Sequence, residues 1–599
     1  MENNSLLYPY ENRYRNNTLL NGLWKFQFDP KSVGESDDWT TGLPDPIEMP
    51  VPGSFADLFT DNESRNYTGD FWYEKEFYIP NGWDDQQLQL RFGSLTQRGI
   101  VYVNGQKLAE HEGGFLPVVV NIDQAIKHDG LNKLVVKLNN ELSETSIPCG
   151  TTKVLDNGKK LAKPYFDFFN YSGIQRNVWL LGLPQETIED YSVKIKKSGS
   201  NATVDYQVET NGSKNIRVQL YDKSDELVSE AVGPTGQLVV KNPTWWGVRK
   251  PYLYTIKIDL IDNNEIIDEY NEKIGIRTVE ISGDQILIND EPVYLKGFGK
   301  HEDFDLLGKT FNWSVAKRDF ELMKWTNANC FRTSHYPYAE EWYQFADREG
   351  FLIIDEVPAV GMLRSIQNFL AAGMGAQTSF FDSPTVNLLK KNHLKQIKEM
   401  MKRDKNHPSI FAWSLFNEPE TTSDSAKEYF TDIFTQARKL DPQKRPLTGA
   451  LEKDSQPDTC KCYPLLDFIC LNRYYGWYIS GGTDIDEAQQ SFEKEMNEWS
   501  KLNLNVPIVF TEFGADTLPS EHKLPAAMWS QEYQEKYLQM NTSIFDKFSF
   551  VRGELVWCFA DFQTSEGIMR VDGNRKGVFT REREPKDSAY FLKKRWSKI

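Results

Sequence analysis

The sequence predicts two β-sandwiches followed by a closed (β/α)8 barrel. Three observations carry this prediction. The 599 residues exceed what one hydrophobic core usually serves, so several domains are expected. As far as residue 276, short β-type runs are separated by turn residues. From residue 277 onward, apolar runs alternate with amphipathic helical stretches, the pattern of a parallel sheet covered by helices.

The first region, 1–184, contains LWKFQF (23–28), FWYEKEFYI (71–79), LQLRF (88–92), IVYVNGQKL (100–108) and KLVVKLN (133–139), which read as sandwich strands. Asn104-Gly105 marks a tight hairpin. The second, 185–276, repeats the pattern at regular spacing in DYSVKIKK, TVDYQVET, IRVQLYD and YLYTIKIDLID, which suits a small immunoglobulin-like sandwich. The third, 277–599, offers eight apolar runs: 293–298, 330–336, 351–357, 409–418, 446–450, 468–475, 507–514 and 554–562. Helical patterns at 314–325, 387–403, 425–440, 491–502 and 532–548 lie between them. Eight such units predict a barrel with its active site at the carboxyl ends of the strands.

Composition narrows the partners. A formal net charge of −17 leaves no basic footprint for nucleic acid or an anionic membrane. The aromatic content of 13% suits stacking on sugar faces as well as large cores. Six scattered cysteines are too few for a disulfide framework, and Cys460 and Cys462 have no second Cys/His pair nearby to complete a metal site. The first residues contain no apolar signal-type core and no run reaches membrane-span length, so a cytoplasmic protein is expected.

The strand ends carry the chemistry. Glu418 closes the fourth run in SLFNEPE, and Glu512 closes the seventh in FTEFG. His335, Asp355, Glu356, Asn472 and Asp561 end other runs, so all of them are expected at the mouth. Two glutamates across a barrel mouth are the minimum equipment for glycoside hydrolysis. Their placement predicts Glu418 as acid/base and Glu512 as nucleophile, with the charge of Glu512 raising the pKa of Glu418. No cofactor or metal is expected, because two carboxylates suffice.

The long motifs FRTSHYPYAEEW (331–342), WSLFNEPE (413–420), CLNRYYGWY (470–478), FTEFGADT (510–517) and IMRVDGNRKGVFTREREPK (568–586) resemble the β-glucuronidases of glycoside hydrolase family two. EGGFLPV (112–118) and KPYFDFFNYSGIQR (163–176) resemble that family's sugar-binding-like jelly-roll domain. The resemblance implies hydrolysis of small-molecule β-glucuronides, with Glu418 and Glu512 in the roles already given. It implies that Asn417 holds the sugar's 2-hydroxyl and that Asp167, His335, Asn472, Tyr474, Tyr478 and Trp557 line the pocket. It further implies that Asn574 and Lys576 of GNRKG read the sugar carboxylate, with Arg570 beside them. His301 stays ambiguous, and Cys558 stands where many relatives carry Asn. The segment 361–384 resembles the extended loop of gut-bacterial members that process small glucuronides, and a homotetramer is implied. A β-galactosidase should lack the Asn-x-Lys element. A galacturonidase would differ at C4, where the sequence is silent. Intact Glu418 and Glu512 weigh against a non-catalytic carbohydrate-binding scaffold.

Overall fold

The computed structural model describes residues 5–363 and 380–599. The N-terminal sandwich packs a four-stranded sheet on a six-stranded one. In Asp70–Phe77 the alternation is visible residue by residue. Phe71 and Tyr73 enter the main core, whereas Trp72 points the other way, against Trp39 and Tyr102. The hairpin at Asn104-Gly105 has positive φ at both residues, 52° and 82°, as a type I′ turn requires. The second sandwich joins three strands and four strands around Tyr191, Val204, Val218, Leu220, Ile256 and Ile258.

Eight parallel strands close the barrel: β1 Leu295–Lys300, β2 Cys330–Thr333, β3 Leu352–Glu356, β4 Ile410–Asn417, β5 Leu447–Leu451, β6 Ile469–Asn472, β7 Ile508–Glu512 and β8 Val551–Trp557. The outer layer is α1 Trp313–Trp325, α2 Glu340–Glu349, α3 Val386–Asp404, α4 Asp424–Ala437, α5 Ile485–Lys501, α6 Gln531–Phe545 and α7 Asp587–Trp596. Between β5 and β6 the described chain has a 3-10 turn, Tyr463–Leu465, in place of an α-helix.

Helix starts follow local chemistry. Asn312, Ser423 and Ser530 each accept a backbone N–H in the first turn of α1, α4 and α6. Two helices that the periodicity did not single out, α2 and α7, lack such a cap. The first turn of α2 also lies inside the strand-two motif, which hides its start. It ends on Gly350 at φ 71°, whose N–H bonds to the carbonyl of Ala346. Strand β8 starts three residues before the predicted run, and α5 starts six residues early.

The lower end of the barrel is closed by an antiparallel three-stranded sheet, Val279–Ser282, Gln285–Ile288 and Glu291–Pro292. Its Ile286 and Ile288 pack with Leu295, Cys330, Leu352, Ile354, Phe411 and Val509 inside the barrel. Polar chemistry is thereby left to the opposite end. Most of the predicted loop 361–384 lies outside the described residues. Of the part described, Phe380 and Phe381 are buried, and the Phe381 ring packs on Tyr429 and Phe430 of α4.

Candidate active site

The two glutamates sit at the mouth in unlike surroundings. Glu512, the last residue of β7, accepts on both oxygens: the Arg332 guanidinium donates to Oε1, and the Tyr474 hydroxyl donates to Oε2 at 2.7 Å. Glu418 follows β4 directly, with left-handed backbone at φ 49°. That conformation costs a non-glycine residue about 1–3 kcal/mol, strain of the kind found at functional sites. Asn472 donates to Glu418 Oε1 at 3.0 Å and to Asn417 Oδ1 at 3.2 Å, while Thr511 donates to Asn472 Oδ1 at 2.7 Å. The pKa of Glu418 is raised to about 8, first by burial and second by the charge of Glu512. The direction matches expectation, but burial outweighs the neighbouring carboxylate.

Arg332 was not singled out from the sequence. It lies within the second-strand motif and points into the barrel, where it also donates to Glu356 at 3.1 Å and Asn417 at 3.2 Å. Glu356 accepts from Ser414 at 2.7 Å and pairs with His335 Nδ1 at 2.8 Å. His335 Nε2 stands 3.8 Å from Glu512. Arg332, Glu356 and His335 thus form a buried frame behind the nucleophile candidate.

Aromatic rings make one wall. Trp557 stacks on His335 with centroids 5.0 Å apart and planes 20° apart. His301 meets Trp557 edge-on at 5.4 Å, and its Nδ1 lies 3.0 Å from the Tyr336 hydroxyl. Burial, then the electrostatic influence of the neighbouring His335 and Lys309, pushes the pKa of His301 well down, so it serves as a neutral part of this wall. The Cys558 thiol, directly after Trp557, donates to the Ala560 carbonyl at 3.2 Å.

A second wall is a charged cluster. The Lys576 ammonium is fully buried (0% exposed), is paired with Asp516 and donates to the Tyr478 hydroxyl at 2.8 Å. It also lies 4.8 Å from the Tyr478 ring centroid and 5.8 Å from that of Tyr474. Arg570 donates to Asp167 at 2.7 Å and to Tyr478 at 3.1 Å. Asn574 donates to the other Asp167 oxygen at 2.8 Å and accepts from the Lys576 backbone at 3.0 Å. Burial opposes ionisation of Asp167, but Arg570, Asn574 and Lys576 outweigh it and lower its pKa.

Two expected members are absent from the mouth. Asp355 is one residue out of phase with Glu356, so it faces the helices and accepts from Tyr343 at 2.7 Å and Thr333 at 3.0 Å. Asp561 lies beyond the end of β8. It accepts from Lys586 at 2.8 Å and from the Gly577 backbone at 2.9 Å, bracing the loop from behind. Asp516 went unnoticed in FTEFGADT, although its position four residues after Glu512 was a usable signal. Among the described residues, no group of three or more His, Cys, Asp or Glu could hold a metal ion, and no helix is long and apolar enough to cross a membrane.

Comparisons with known proteins agree with this organisation. The glycosyl hydrolases family 2 sugar binding domain matches residues 18–184, the central family 2 domain residues 186–277, and the family 2 TIM barrel domain residues 279–599. The chain is 39% identical to a beta-glucuronidase of Paenibacillus borealis over 99% of both chains. It is 36% identical to that of Homo sapiens over 99% of this chain and 93% of the human one. A crystal structure of Ruminococcus gnavus beta-glucuronidase superposes with a TM-score of 0.99 at 61% identity, over all of both chains. The same enzyme in complex with uronic isofagomine gives 0.98 at 61%, covering 100% of this chain and 99% of that one. Three co-linear domains, the barrel mouth with its two glutamates, and full-length relatives lead to one conclusion: the chain belongs to family two of the glycosyl hydrolases.

Proposed function

We propose that this chain is a retaining β-glucuronidase that releases D-glucuronate from the end of small-molecule β-D-glucuronides. The observation that carries the reading is the fully buried Lys576, with Arg570 and Asn574, in the same mouth as two glutamates of opposite character. A glucuronide differs from a glucoside by a carboxylate at C6, and only directed cationic donors distinguish the two well. The relatives named beta-glucuronidase support the same reading.

The proposed steps use the two glutamates in turn. Glu418, protonated below about pH 8, gives its proton to the glycosidic oxygen as the C1–O bond breaks. Glu512, oriented by Arg332 and Tyr474, attacks C1 and forms a glycosyl ester. The carboxylate repulsion then disappears, and Glu418 takes a proton from water. That water attacks C1, the ester bond breaks, and both glutamates return to their starting states. A double displacement of this kind needs the carboxyls about 5–5.5 Å apart. Asn417, held by Arg332 and Asn472, is assigned to the sugar's 2-hydroxyl.

The test is a panel of aryl glucuronide, galacturonide, glucoside and galactoside, read together with NMR of the first product. The glucuronide should be preferred, and β-glucuronate should appear before mutarotation. An initial α product, or equal turnover of glucuronide and glucoside, would overturn the assignment.

A further inference from the structure

The carboxylate-reading wall borrows Asp167 from the N-terminal sandwich, so something must fix that domain's loop against the barrel. Lys309, between β1 and α1, is buried among rings from both domains. Its ammonium lies 4.3 Å from the ring centroid of Phe168, 4.4 Å from that of Tyr336 and 5.0 Å from that of Phe115. Phe115 and Phe168 belong to the sandwich domain, and Tyr336 belongs to the barrel. Phe115 stacks on Tyr336 at 4.5 Å and 11°. Phe168 immediately follows Asp167, touches His301 at 5.3 Å between centroids and bridges to Thr564. The next residue's N–H bonds to the Gln563 carbonyl at 2.9 Å. Burial pulls the Lys309 pKa down to about 7, against the upward pull of Glu302 and Asp303, with Arg176 adding to the lowering.

We propose that Lys309 is a positioning residue for sugar binding: its ammonium clamps Phe115 and Phe168 onto Tyr336 and thereby fixes where Asp167 meets Arg570 and Asn574. A desolvated cation over an aromatic face is worth more than an exposed one, and three faces share this ammonium. The inference rests on the glucuronidase reading for its kinetic test but not for its structural one.

The experiment compares wild type, Lys309→Met and Lys309→Arg. On an aryl glucuronide, the methionine variant should raise KM about tenfold with kcat nearly unchanged, while arginine should restore KM to within about threefold. In an Asp167→Asn background, Lys309→Met should add less than about twofold, because both changes act on one contact. Hydrogen–deuterium exchange supplies a readout that needs no turnover: residues 163–170 should exchange faster in Lys309→Met. If Lys309→Met does not fold, Phe168→Leu takes its place in the cycle and in the exchange measurement. Full additivity with Asp167→Asn, or unchanged exchange at 163–170, overturns the proposal. Wild-type inactivity on the glucuronide would instead count against the functional reading and leave the exchange result to decide this one.

Discussion

The two walls of the barrel mouth are held in different ways. Behind the glutamates, Arg332, Glu356, Asn417, Asn472 and Glu512 all stand on β-strands, so the parallel ladder sets their positions before any side chain pairs. On the side proposed to read the carboxylate, Asp167, Tyr478, Asp516, Arg570, Asn574 and Lys576 come from loops after several strands and from another domain. Apart from isolated bridges such as that of Asn574 to Phe562, no β-pairing orders them, and ion pairs and hydrogen bonds do that work. That cluster holds two cations, Arg570 and Lys576, against two carboxylates, Asp167 and Asp516. The strand-borne wall should therefore tolerate loss of a side chain as a scaffold and fail as chemistry. The loop-borne wall should lose recognition and geometry together.

The largest effect expected is at Glu512, the proposed nucleophile. Glu512→Gln should lower kcat by at least about 10⁴-fold, with the melting temperature little changed, because a residue that acts as part of a catalytic unit removes most of the acceleration when lost. A large stability loss would break the comparison by showing that the strand wall also depends on its charges. Glu418→Ala should cost about 10²–10⁴-fold on an alkyl glucuronide, the usual span of general acid catalysis. The loss should shrink sharply for a dinitrophenyl glucuronide, whose leaving group needs no proton. Equal losses on both substrates would remove Glu418 from the acid role.

Lys576→Ala tests the other wall. Unpairing the substrate carboxylate costs about 2–5 kcal/mol, or roughly thirty- to several-thousand-fold in kcat/KM on the glucuronide. A neutral glucoside should lose far less. The buried pair adds a consequence that the sequence did not disclose. The variant removes the close ion-pair partner of Asp516 and leaves it the Arg575 N–H at 2.8 Å and the Arg570 guanidinium at 3.9 Å, so stability should fall by up to about 3–5 kcal/mol. Lys576→Met with Asp516→Asn should recover much of that stability without recovering glucuronide preference, and thermal unfolding beside the two kinetic assays separates the effects. Equal losses on glucuronide and glucoside would make Lys576 a loop support.

The pH dependence is gentler. Glu418 is raised to about 8, so its proton is present below that pH and lost above it. The kcat/KM for an alkyl glucuronide should therefore fall toward tenfold per pH unit above about 8. The smallest effect expected is from Asn574→Ser, which removes a neutral amide's hydrogen bonds. At about 0.5–1.5 kcal/mol it should cost two- to tenfold on the glucuronide alone.

What the sequence by itself determined is what local periodicity and chain order encode. The succession of apolar runs and amphipathic helices located eight strands and put Glu418 and Glu512 at two of their ends. It also contained the information that misplaced Asp355. A period of two sends Glu356 inward and Asp355 outward, so only one of the two could reach the mouth. Tertiary structure decided the partnerships. Arg332 on β2 meets Glu512 on β7 only because the sheet closes, and no spacing in the chain records that distance. Lys576 meets Asp516, and Asp167 meets Arg570, across loops whose paths depend on packing between elements far apart in sequence. The protonation of Glu418 belongs to the same class. Its pKa is set first by how much water the folded mouth excludes, a property of the assembled barrel and not of the motif.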